Sequence, residues 1–132
     1  MSPDFVPSPN APTVLLVDDE AAVRDFVRIV LTHAGYAVIS AADARQALEL
    51  FQADPERFAV VISDIRMPVR SGLELGADLH ALRPEVPVVF MSGFVGGNNG
   101  NQPLALPPGA IVLEKPFTRD GILQAIQQAI KA

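Results

Sequence analysis

Five residues with reactive or charged side chains stand at or just beyond the ends of short apolar runs. Asp18 and Asp19 follow Thr13-Val-Leu-Leu-Val17, and Asp64 follows Ala59-Val-Val-Ile62 and Ser63. Ser92 follows Pro87-Val-Val-Phe-Met91, and Lys115 comes after Ala110-Ile-Val-Leu113. Such runs, rich in β-branched residues, read as strands buried on both faces, as in a parallel sheet. The carboxyl ends of strands are where open α/β sheets bind ligands. A carboxylate there can serve as a nucleophile or a metal ligand. Asp64 has a loop behind it, because Pro68 and Gly72 oppose a helix before that point.

Each residue also has a plainer role open to it. Asp64, or the Asp18-Asp19 pair, can cap the helix that follows. Ser92 can be a turn residue ahead of Gly93, and Lys115 an ordinary solvated lysine. Chance placement of all these residues at four strand ends is nevertheless improbable.

The elements between them decide whether they meet. Val23, Phe26, Val27, Val30, Leu31 and Ala34 form one apolar helical stripe, and Gly35 fits its C-terminal cap. Ala37-Val-Ile-Ser-Ala41 reads as the second strand. Asp43 is placed to cap a helix with Ala44, Ala47, Leu48 and Phe51 inward, and Pro55 ends it. Ser71 is placed to cap a third helix through Leu73, Leu75, Leu79 and Leu82, which Pro84 stops. Thr118 to Lys131 reads as a last helix with Ile122, Leu123, Ile126 and Ile130 buried. Strands and helices alternate, so the expected fold is α/β, with a parallel sheet and helices on both faces. Right-handed crossovers then bring the three carboxylates, the hydroxyl and the ammonium to one edge of the sheet.

One slot breaks the alternation. Between Gly93 and Gly109 the chain carries Gly96, Gly97, Asn98, Asn99, Gly100, Asn101, Pro103, Pro107 and Pro108, which oppose a helix. The fourth helix is expected to be short or absent, and residues 95–103 to be among the most mobile. Residues 1–12, with Pro3, Pro7, Pro9 and Pro12, read as a flexible N-terminal leader, leaving 13–132 as one domain.

Composition narrows the classes. The 132 residues are 49% hydrophobic and 19% charged, as expected for one soluble globular domain. No apolar run approaches the ~18 residues of a membrane span. The chain start lacks a basic and apolar signal pattern, and there is no cysteine; both suit a cytoplasmic location. A formal net charge of −5 with scattered Lys and Arg opposes direct nucleic-acid binding.

Four stretches together carry a resemblance: Val17-Asp18-Asp19-Glu20, Ser63-Asp64-Ile-Arg-Met67-Pro68-Val-Arg-Ser-Gly72, Met91-Ser92-Gly93 and Glu114-Lys115-Pro116-Phe117. In order and spacing, from about Thr13 to the C-terminus, they resemble the receiver domains of two-component response regulators. The resemblance implies a flavodoxin-like doubly wound sandwich with a parallel sheet of order 2-1-3-4-5. It implies that Asp64 accepts a phosphoryl group from a histidine kinase or phosphotransfer protein. Asp19 would ligate Mg²⁺ directly and Asp18 through water, with Asp64 and the Arg66 backbone carbonyl completing the protein's share. Ser92 and Lys115 would contact the phosphoryl oxygens, and Lys115-Pro116 would be cis. Such a domain is not a conventional enzyme, but it catalyses its own phosphorylation and dephosphorylation. The physics is compatible: crowded carboxylates repel, and an oxygen-only donor set suits Mg²⁺ or Mn²⁺.

Two departures stand out. The family commonly has Tyr or Phe three residues before the lysine, where this chain has Val112, and its fourth helix meets the Gly/Asn/Pro segment here. The Leu113–Thr118 run and the Pro107-Pro108-Gly109 turn resemble receivers fused to hybrid histidine kinases. Two other readings remain. One is an acid-rich Mg²⁺ phosphohydrolase of the haloacid-dehalogenase type, although Arg66 stands where its second acid belongs. The other is a pseudo-receiver that binds a partner without phosphorylation.

Overall fold

The computed structural model describes residues 11–92, 110–114 and 117–131. Among the described residues the elements run β1 (Thr13–Val17), α1 (Ala21–His33), β2 (Ala37–Ala41), α2 (Ala44–Ala53), β3 (Phe58–Asp64), α3 (Gly72–Leu82), β4 (Val88–Ser92), β5 (Ile111–Glu114) and α4 (Arg119–Lys131), with strand and helix alternating as far as β4. A single 3₁₀ turn, Pro55–Arg57, leads into β3. All strand pairs are parallel and the order is β2-β1-β3-β4-β5, the expected doubly wound arrangement. The expected short or absent fourth helix, the mobile 95–103 loop, residues 1–10 of the leader and the Lys115-Pro116 bond lie outside the described residues.

Alternation along the strands divides the core into two layers. Leu15, Val17, Val61, Val88 and Phe90 face α2 and α3, where Ala47, Phe51, Leu75 and Leu79 meet them. Val14, Leu16, Val60, Ile62, Val89 and Met91 face α1 and α4, packing on Val27, Leu31, Ile122 and Ile126. Burial on both faces is why these strands are continuous apolar runs in sequence.

Local signals set the helix ends. Gly35 has φ +100° and closes α1, with Tyr36 N–H donating to the Leu31 carbonyl (3.0 Å) and Gly35 N–H to that of Thr32 (3.1 Å). The Asp43 side chain accepts from Gln46 N–H at 2.8 Å, capping α2. Ser71 and Glu74 form a reciprocal capping box at α3.

Four expected inward positions are exposed instead. Phe26 is 43% exposed, Leu82 43% and Ile130 37%, and Ala34 is a solvated cap residue. A helix on a sheet buries a narrower strip than its full apolar stripe. Phe26 lies at the edge of that strip, and Leu82 and Ile130 lie in the last turns. On α4 the buried strip is completed by Ala125 and Ala129, whose small side chains let the helix approach the sheet. With Ser71 as the cap, as expected, Gly72 is the first residue of α3.

Candidate functional site

The site forms at the carboxyl edge of the sheet. Val17, the last residue of β1, pairs with Ala41 on one side and Ser63 on the other. This register sets Asp18 and Asp64, the next residues along adjacent strands, side by side. Asp18 is fully buried and its backbone N–H donates to the Ala41 carbonyl at 3.2 Å. Its Oδ1 accepts from Glu20 N–H at 2.8 Å, closing a turn ahead of α1; the helix's N-cap is Glu20, with no side-chain capping bond, so the capping role left open above is not the one Asp18 takes. Arg24, from the first turn of α1, donates to the Asp18 carbonyl at 2.7 Å and pins the turn. Asp19, next along, is exposed.

Asp64 ends β3 and is 6% exposed. Arg66 N–H approaches its Oδ1 at 3.4 Å, a long contact. Beyond the strand, Ile65 N–H still donates to the Met91 carbonyl at 3.0 Å, extending the ladder to β4. One oxygen from each of Asp18, Asp19 and Asp64 lies within 4.8 Å of the others. Exposed acids cluster commonly, but two of these three are buried. Charges placed so close in a partly desolvated edge favour a cation. The donors are all oxygen and one face opens to water at Asp19, which fits Mg²⁺ and opposes a soft, closed site.

Ser92 is 2% exposed and ends β4, one residue beyond Met91, the register partner of Asp64. Glu114 pairs with Ser92 and ends β5. Lys115, the next residue, lies outside the described residues. Asp18, Asp19, Asp64 and Ser92 are thus brought to one edge, and the Arg66 carbonyl belongs to the loop that leaves it.

That loop is more constrained than its sequence suggests. Ile65 and Met67 are buried in the core shared with α2 and α3, while Arg66 and Val69 face water. Gly72 N–H donates to the Ile65 carbonyl at 2.8 Å. A Cβ on Gly72 would lie 2.0 Å from the Asp64 carbonyl oxygen, so only glycine lets α3 start against the end of β3. Sequence reasoning treated Gly72 as a helix breaker and passed over Arg24. The first is visible only as a close approach in space, and the second is one of several scattered arginines. Val112, in the position of the family's usual aromatic, is partly buried against the core layer on the α2 and α3 side.

Comparison with known proteins gives the same reading. The sequence model of the response regulator receiver domain matches residues 14–127. The C4-dicarboxylate transport transcriptional regulatory protein DctD of Pseudomonas aeruginosa is 38% identical over 135 residues, covering 99% of this chain and 28% of that protein. The chain therefore spans little more than a quarter of that curated relative's length. A response regulator receiver domain protein from Clostridium thermocellum superposes with a TM-score of 0.80 at 28% identity, covering 91% of this chain and 94% of that one. The receiver domain of the hybrid histidine kinase CckA gives a TM-score of 0.76 at 28% identity, covering 89% and 98%. With residues 14–127 matching the family model and solved receiver domains superposing over about nine-tenths of the chain, this protein belongs to the response regulator receiver domain family, the phosphorylatable signalling switches of two-component systems.

Proposed function

We propose that Asp64 is the phosphoacceptor of this switch. The observation that carries the proposal is the meeting of the Asp18, Asp19 and Asp64 carboxylates at the end of β1 and β3, with Asp64 nearly buried yet on the open edge of the sheet. An Asp64 carboxylate oxygen attacks the donor phosphorus, and the new O–P bond forms as the P–N bond of a phosphohistidine breaks. The imidazole leaves with that bond's electron pair. Asp19, Asp18, Asp64 and the Arg66 carbonyl would hold Mg²⁺ (or Mn²⁺), which when bound offsets negative charge on the phosphoryl oxygens. Lys115 neutralises another of those oxygens, and Ser92 donates a hydrogen bond to the group once attached. The three acids, being acceptors only, cannot supply those donors.

The partner is a histidine kinase or a histidine phosphotransfer protein, and the setting is cytoplasmic. Among the described residues no helix is long and apolar enough to cross a membrane. Fusion to, or partnership with, a hybrid kinase accounts for the Leu113–Thr118 run. The working unit is residues 13–132, with 1–12 as a leader. The phosphohydrolase reading is disfavoured by exposed Arg66 in the place of a general acid. The test is incubation with acetyl phosphate and Mg²⁺ followed by intact mass. One phosphoryl group on the wild type and none on Asp64→Asn is expected. Label on both, or multiple turnover of phosphate with no covalent label on either, would overturn the assignment.

A further inference from the structure

The loop after Asp64 contains a conformation that its own residues do not explain. Val69 has φ +72°, a left-handed value that is strained for a β-branched side chain. Arg70 N–H donates to the Pro68 carbonyl at 2.7 Å, closing a tight three-residue turn around Val69 of the rare, strained form. The Val69 side chain is fully exposed, so no packing of its own holds it there. Strain of this kind persists only where the surroundings enforce it. Burial of Ile65 and Met67 fixes the loop's start, and the capping box at Ser71 fixes its end. Between them, among the described residues, the side chain that reaches from the turn to a regular element is that of Arg70. Its Nε donates to Asp78 Oδ2 at 2.7 Å and its Nη2 to Asp78 Oδ1 at 2.8 Å, and Glu74 lies 3.9 Å away.

We propose that Arg70 is a positioning residue: its two-pronged pairing with Asp78 clamps the acceptor loop onto α3 and holds Val69 in the left-handed turn. A planar guanidinium matched to a carboxylate fixes direction as well as distance, which a lysine would not. Asp78 sits in the second turn of α3 and is itself partly buried, so the anchor rides on a rigid element. The clamp bears on phosphorylation because the clamped loop carries the Arg66 carbonyl, and in that respect it rests on the function proposed above.

Amide hydrogen exchange on the metal-free protein tests it. Arg70→Ala and Asp78→Asn break the fork from opposite ends. Each should speed exchange at the amides of residues 70 and 72 by roughly threefold to fivefold, the range of a well-aligned exposed ion pair. The amides of Leu79, deeper in α3, and of Arg83, its C-terminal cap, should not change. Val69→Gly, for which a positive φ is unstrained, should restore protection in either background. In parallel, the Mg²⁺ concentration for half-maximal labelling of Asp64 should rise by a similar factor, with the rate at saturating Mg²⁺ retained. Unchanged exchange at residues 70 and 72 in both variants overturns the clamp, as does failure of Val69→Gly to restore protection. If the wild type takes no label at all, the phosphoacceptor reading fails, and the exchange data still decide the clamp.

Discussion

Replacing Gly72 by alanine should damage both stability and chemistry, against the usual direction of such a change. At a helical position, glycine to alanine ordinarily stabilises by up to ~1 kcal/mol. Here the new Cβ would lie 2.0 Å from the Asp64 carbonyl oxygen and 2.9 Å from its carbon, where real contacts stay above 3.0 Å. Those atoms are backbone, tied by the ladder to β4, so α3 or the end of β3 must move by about 1 Å. Overpacking on that scale costs ~1–3 kcal/mol, and the backbone contact points to the upper end. Against the propensity gain, the net loss is ~2 kcal/mol, or ~8 °C in Tm for a chain of this size. The displaced group carries the proposed nucleophile, and a shift of ~1 Å can slow a reaction ~100-fold. Thermal melting and the initial rate of acetyl phosphate labelling read the two effects. Gly76→Ala is the comparison, since its Cβ would meet a side chain, the rim of the Phe90 ring at 3.2 Å, and not backbone, so its loss should be smaller than that of Gly72→Ala. A Gly72→Ala protein that melts at or above the wild-type temperature and labels at the wild-type rate would refute the reasoning.

Other expectations follow from the same geometry. Mg²⁺ affinity, measured calorimetrically, should fall strongly in Asp19→Ala and less in Asp18→Ala if, as proposed, Asp19 would ligate the ion directly and Asp18 through water; equal affinity in all three proteins contradicts the assignment. Asp18→Asn should raise the melting temperature of the metal-free protein by a few degrees, since it removes one of three crowded charges while an amide oxygen can still accept from Glu20 N–H. A lower melting temperature without metal would show that repulsion is not significant there. Arg83 donates to the carbonyls of Pro55 (2.9 Å) and Phe58, bracing the start of β3 far from the acids. Arg83→Ala should therefore lower stability in urea by ~2 kcal/mol and leave the labelling rate at saturating Mg²⁺ unchanged. A slower reaction with unchanged stability would place Arg83 in the site.

The strands were legible because each is an apolar run cut off sharply by polar residues, and burial on both faces leaves that mark on the sequence. The acids at positions 18, 19 and 64 could be brought together on paper for the same reason, since parallel strands joined by right-handed crossovers share one edge. Helix faces were less legible. Phe26 and Ile130 fit the periodicity as well as Val27 and Ile126, and only the width and the end of the actual contact separate them. Ala125 and Ala129 gave no hydrophobic signal of their own, yet closeness at that interface depends on them. The loop after Asp64 was the least legible part. Its form depends on Gly72 approaching the Asp64 backbone, on a left-handed Val69, and on Arg70 reaching Asp78 in the second turn of α3. None of these leaves a periodic trace, because each is a contact in space between residues ordinary in themselves.

The central claim is that Asp64 receives the phosphoryl group, and borohydride trapping tests it most directly. Reduction of an aspartyl phosphate converts that residue to homoserine, which peptide mass spectrometry locates. After treatment with acetyl phosphate and Mg²⁺, the account predicts homoserine at position 64 and nowhere else. Homoserine at position 18 or 19, or a phosphorylated protein that yields none, would contradict it.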